Sequence, residues 1–112
     1  MTTPTELLIV WCNCPDQTTA TALASGLVKE KLAACVNVLP AVQSIYHWED
    51  RLETATEVPL MIKTTVAAYS HLESWLQNQH PYTIPEIIAF PVTHGLPSYC
   101  NWVRAETIET QA

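Results

Sequence analysis

The feature that most constrains this chain is a stretch of strand-like alternation running from Val36 to Thr65. Val36 and Val38, then Val42, Ser44, Tyr46 and Trp48, fall on one face of an extended backbone, because successive side chains of a strand point to opposite sides. Pro40 interrupts the series. It has no N–H to give to a ladder, so this strand is expected at a sheet edge, bent or bulged at the proline. Glu49-Asp50-Arg51 is polar enough to turn the chain. Leu52 to Thr65 then returns, with Val58, Leu60 and Ile62 alternating against Pro59, Met61 and Lys63. Strands usually run to about 3–10 residues. In a chain of 112 residues, a hairpin this long is more than one small body covers. Its open edges invite pairing with other chains, and closed symmetry is the usual way to remove that hazard.

The remaining elements follow from periodicity. Glu6 to Cys12 reads ELLIVWC, a continuous apolar run suited to a strand buried on both faces. Cys14-Pro15-Asp16 ends it, with Asp16 as the N-cap of a helix. Ala20, Leu23, Ala24, Leu27, Val28 and Leu32 recur there at helical spacing. Gly26 interrupts that helix, at a cost of about 1 kcal/mol relative to Ala, and is expected to permit close packing on a sheet. Ala68, Leu72, Trp75 and Leu76 form a second helical stripe, ended by His80-Pro81. Glu86 to Val92 is another apolar strand. Ser98 is expected to cap a short last helix carrying Tyr99, Trp102 and Val103. The order is β-α-β-β-α-β plus a terminal helix. This is an α+β, ferredoxin-like plan with the first and third strands central, a long hairpin between the second and third, and one domain over residues 1–112.

Charge excludes several classes of partner. Lys plus Arg is 5 and Asp plus Glu is 11, a formal net charge of −6. A sequence-blind nucleic-acid binder needs a basic face, and docking on anionic lipid needs basic residues, so neither nucleic acid nor membrane is expected. Charged residues are 14% of the chain against a usual figure of about 25%, which points to surface covered by other subunits. The two glycines, Gly26 and Gly95, make no phosphate loop. No apolar run reaches the roughly 18 residues of a membrane span, and the start lacks a basic leader. The expected location is cytoplasmic, where Cys12, Cys14, Cys35 and Cys100 stay reduced thiols.

Cys12-Asn13-Cys14 is the sharpest local feature. Residues i and i+2 of a strand share a face, so two thiols can meet one soft ion such as Cu(I) or Zn(II). The alternative is a pair of small buried apolar residues. Cys35, amid apolar neighbours, reads as structural. His80 lies in a loop stiffened by Pro81 and Pro85, which suits a preorganised ligand residue; a helix-end histidine is the simpler use. There is no HExxH and no paired CxxC, so neither a closed structural zinc site nor a metal required for folding is expected. Glu49, Glu53, Glu57 and Glu86 supply carboxylates and Lys63 a cation, but no nucleophile motif accompanies them, and an enzyme is not expected.

Several pieces in one order resemble the CutA1 family, the divalent-cation-tolerance proteins, from about Leu8 to Val103. They are Lys31-Leu32-Ala33-Ala34-Cys35-Val36-Asn37, Ser44-Ile45-Tyr46-His47-Trp48-Glu49, Met61-Ile62-Lys63-Thr64, His80-Pro81-Tyr82 with Pro85-Glu86, and Tyr99 with Trp102-Val103. The resemblance implies a ferredoxin-like subunit in a tight homotrimer, similar in architecture to PII signalling proteins, with clefts between subunits. It also implies a metal-ion response, with copper or another divalent metal held at the positions of Cys12 and His80. Gln79 stands where some relatives have a second histidine, Cys14 where many have no thiol, and Asp50 where a glycine is common. The alternative function is a PII-like protein holding a small anionic or zwitterionic ligand in the inter-subunit cleft, with Tyr46, Trp48, Glu57, Lys63, Glu86 and Trp102 as contacts.

Overall fold

Two long strands paired at the centre of one antiparallel sheet organise the molecule, a computed structural model that describes residues 6–109. They are β1 (Leu7–Cys14) and β4 (Arg51–Thr65), matched from Leu7↔Thr65 to Cys14↔Val58. On the far side of β4 lie β2 (Cys35–Val38) and β3 (Val42–Trp48), one after the other. On the far side of β1 lies β5 (Ile87–Pro91), with Cys12 opposite Ile87. The order β2-β4-β1-β5 puts the first and third runs of the expected plan in the middle. The outer strand of the hairpin is divided rather than merely bent. Pairing breaks between Val38↔Leu60 and Val42↔Glu57, the gap that contains Pro40.

Helices α1 (Gln17–Lys29) and α2 (Val66–Gln79) cover one face of the sheet, and α3 (Pro97–Glu106) packs on the other through Val103, Leu7 and Ala34. Val10, Cys12 and Cys14 of β1, with Leu60 and Ile62 of β4, meet Ala20 and Leu27 of α1 and Leu72 and Leu76 of α2, all without exposure. Each large aliphatic side chain buried this way contributes about 1.5–3 kcal/mol. Asp16 caps α1, its Oδ1 accepting from the Thr19 N–H at 2.7 Å. Thr65 caps α2 in the same way, through Ala68 N at 3.1 Å. α2 stops at His80, whose N–H still donates to Leu76 O at 2.8 Å before Pro81 breaks the ladder.

Three expectations change. Gly26 makes room for a helix neighbour rather than the sheet: a Cβ there would stand 2.5 Å from Trp75 Cη2. Val28 turns outward, with 42% exposure, because Leu27 and Ala24 already fill the packed face. Ser98 does not cap α3; the helix begins at Pro97, whose fixed φ suits the first turn, with Leu96 as N-cap and no side-chain bond there.

Beyond Cys14 the β3–β4 pair continues without β1 as a free arm, and the molecule reaches 53 Å along its long axis against 26 and 24 Å across. At its tip only Glu49 and Asp50 separate the strands, with φ of 51° and 64°. Left-handed values at both positions are those of the hairpin turn whose twist matches the flanking strands. The sheet face away from α1 and α2 is apolar and open: Ile88 and Phe90 are each 49% exposed. Among the described residues no helix is long and apolar enough to cross a membrane.

Candidate functional site

The end of β1 places chemistry on both faces of the sheet. Cys12 and Cys14 point to the helix side, where both are fully buried. Asn13, between them, points the other way. β5 runs antiparallel to β1 and pairs Ile87 with Cys12, so the loop between α2 and β5 arrives beside this end. It carries His80. The two thiol sulfurs and an imidazole nitrogen of His80 lie within 4.8 Å of one another, all three residues buried.

The thiols act as a pair. Hydrogen bonding with Cys14, then burial, pushes the Cys12 thiol far up, while the same bond lowers Cys14. Of the two, Cys14 is the thiol that gives up its proton more readily. The imidazole is held at both nitrogens. Tyr82 N–H donates to Nδ1 at 3.1 Å, which leaves Nε2 to carry the hydrogen and donate to Asn13 O at 2.8 Å. Two sulfurs and one imidazole suit a soft ion in three-coordinate geometry. The thiols fit such an ion once deprotonated; His80 fits it by giving up one of its two bonds.

On the opposite face Asn13 organises carboxylates. Trp11 Nε1–H donates to Asn13 Oδ1 at 2.9 Å, which fixes the amide orientation, since an indole nitrogen only donates. Asn13 Nδ2 then faces Glu57 Oε1 at 3.4 Å and Glu86 Oε1 at 3.2 Å. Tyr82 Oη donates to the other Glu57 oxygen at 2.8 Å. Burial, and then this bond, push the Tyr82 hydroxyl well above the ordinary phenol range, so it stays a donor. Glu86 is exposed as a residue, yet partial burial of its carboxyl and the Glu57 charge push its pKa up. Glu57, Tyr82 and Glu86 line a cleft of about 520 Å³ between the hairpin arm and the His80–Glu86 loop, with Tyr46, Trp48, Glu53, Pro81, Thr83 and Ile84.

Of the residues singled out from sequence, Cys12, Cys14 and His80 come together, and Tyr46, Trp48, Glu57 and Glu86 come together in the cleft. Lys63 and Trp102 are elsewhere in the chain. Lys63 donates to Asn37 across β4 and β2, and Trp102 sits on α3 with its ring 5.8 Å from Tyr99. Cys35 is half-buried at the start of β2. Asn13 and Tyr82 touch both sites; sequence reasoning missed Asn13 and took Tyr82 only as one of several aromatics able to line a pocket or an interface. The available signal was position: Asn13 alternates out between two inward cysteines, and Tyr82 stands two residues from His80.

Known proteins share this fold. The family described as "CutA1 divalent ion tolerance protein" matches residues 8–106. A divalent-cation tolerance protein CutA of Citrobacter koseri is 44% identical over 100 residues, covering 89% of this chain and 87% of its own. The solved Cut A1 protein of Thermus thermophilus superposes with a TM-score of 0.88 at 39% identity, covering 90% of this chain and 98% of that one. The CutA1 structure from Oryza sativa gives 0.93 at 34% identity, covering 97% and 100%.

Proposed function

The chain belongs to the CutA1 divalent ion tolerance protein family, and from that premise we propose that it serves in the response to metal ions by binding a soft ion, copper as Cu(I), through Cys12, Cys14 and His80. One observation carries the reading: two thiols and an imidazole converge within 4.8 Å in a buried pocket. Soft thiolate donors select Cu(I), and the reducing cytoplasm in which we place the protein keeps both the ion and the thiols in the required state. The protein acts by binding rather than by catalysis, in keeping with the tolerance function that its relatives' names state. Its working form is a homotrimer. Support for the assembly is the open apolar sheet face with Ile88 and Phe90, and an arm exposing Ile45 and Leu52 at 65% and 69%. A small domain keeps such surface by covering it with other copies.

The binding test is anaerobic competition with a Cu(I) chelator, run on the parent, Cys12→Ser, Cys14→Ser and His80→Ala. The parent holds copper, either serine variant loses most of it, and His80→Ala weakens it. Equal binding by the parent and Cys12→Ser rejects the site.

A second reading is favoured by the cleft. It is an aromatic-walled cavity of a size that takes small molecules. It supports a PII-like role in which a small ligand is read between subunits.

A further inference from the structure

We infer that the cleft beside Asn13 is a binding site for a small organic cation, a molecule with an ammonium or guanidinium head and a short alkyl stem. The inference deepens the cleft reading above and rests on it; it is independent of the copper site.

Charge balance is the first observation. Glu57 is 7% exposed, and its two oxygens are met by Asn13 Nδ2 and Tyr82 Oη, both neutral donors. Hydrogen bonding is complete there; neutralisation is not. Buried charges are otherwise paired or held by a cation. Glu86 shares the same amide, and Glu53 adds a third carboxylate to the lining, which contains no lysine or arginine. Lys63, the cation that an anionic ligand would need, is engaged with Asn37 in the edge pairing of β2 and β4. The part of the cleft that this chain builds therefore repels anions.

The wall is the second observation, and it separates an organic cation from a metal ion. Tyr46, Trp48 and Tyr82 contribute three aromatic rings, and Pro81 and Ile84 contribute apolar surface. Hard divalent ions take six or more oxygen ligands and bring water, which an aromatic wall does not supply. Aromatic faces attract ammonium and guanidinium groups, and the apolar residues accept a stem. The roughly 520 Å³ of space is far more than a bare ion uses.

The test is calorimetric titration of the intact, metal-free protein with agmatine, butyrate and calcium chloride at low ionic strength. Agmatine shows saturable binding that weakens with salt. Glu57→Gln, which keeps the shape and an acceptor, weakens it roughly tenfold, as does Trp48→Ala on the exposed arm, away from the core. Both variants retain copper in the chelator competition, and Cys12→Ser retains agmatine, so failure of either site is seen separately. Absence of saturable agmatine binding, butyrate or calcium binding as tight as agmatine, or indifference to both Glu57→Gln and Trp48→Ala overturns the proposal.

Discussion

Replacing Asn13 with Asp tests whether the amide is what lets the cleft carboxylates stand together. An aspartate still accepts from Trp11 Nε1, but it places a charged acceptor where a donor faced Glu57 at 3.4 Å and Glu86 at 3.2 Å. Glu86 is exposed and swings away, so buried Glu57 decides the outcome. Two like charges at 3.4 Å repel by about 5 kcal/mol at an effective dielectric constant of about 20. Protonating one carboxyl of ordinary pKa at pH 7 costs about 4 kcal/mol, which is less. The folded variant therefore keeps one proton on the Asp–Glu57 pair, and the substitution costs about 4 kcal/mol at pH 7. The sign of the pH dependence follows. The folded pair's upper pKa is raised above the unfolded value, so the folded state holds more protons than the unfolded one. Stability relative to the parent is then greatest in acid and falls by about 1.4 kcal/mol per pH unit between about pH 4 and 7. At pH 5 the cost shrinks to about 1 kcal/mol. Urea denaturation of the parent and variant at pH 5 and pH 7, at one protein concentration, measures both values. A cost below about 1 kcal/mol at pH 7, or the same cost at both pH values, refutes the reasoning.

Three further outcomes are expected. Asp50→Gly relieves a left-handed residue at the arm tip; the relief of about 1–2 kcal/mol, less the greater unfolded freedom of glycine, leaves a gain of about 0.5–1 kcal/mol in denaturation, and a loss contradicts the turn assignment. Gly26→Ala brings a methyl to 2.5 Å from the Trp75 ring, so overpacking outweighs the helix gain and costs about 1 kcal/mol; in a Trp75→Ala background the same change stabilises by about 1 kcal/mol, and destabilisation in both backgrounds is the refuting result. Light scattering gives a species of three times 12.5 kDa whose apparent melting temperature rises with concentration; a 12.5 kDa species alone, or a concentration-independent transition, contradicts the trimer.

Much of the fold was legible because its signals are local. The ELLIVWC run reads as a strand buried on both faces, and it is β1, flanked by β4 and β5. Asp16 reads as a cap and caps α1. The convergence of Cys12 with His80 followed from topology, since the strand after His80 had to return beside the first. The hub formed by Asn13 was not legible, because its contacts join positions 44 and 73 residues apart and no period encodes them. Nor did periodicity mark Val28 as outward or Trp75 as the partner of Gly26, since both depend on how α1 and α2 sit against each other. Lys63 stands apart from the cleft within the chain. Its place on β4, opposite Cys35, puts it toward the other end of the strand from Glu57.

The central claim, that Cys12, Cys14 and His80 form one soft-metal site, is tested most directly by X-ray absorption at the copper edge of the anaerobic Cu(I)-loaded protein. The account predicts a first shell of two sulfurs and one imidazole nitrogen, reduced to one sulfur in Cys12→Ser and stripped of its nitrogen in His80→Ala. A shell of oxygen and nitrogen alone, or a spectrum that neither substitution alters, contradicts it.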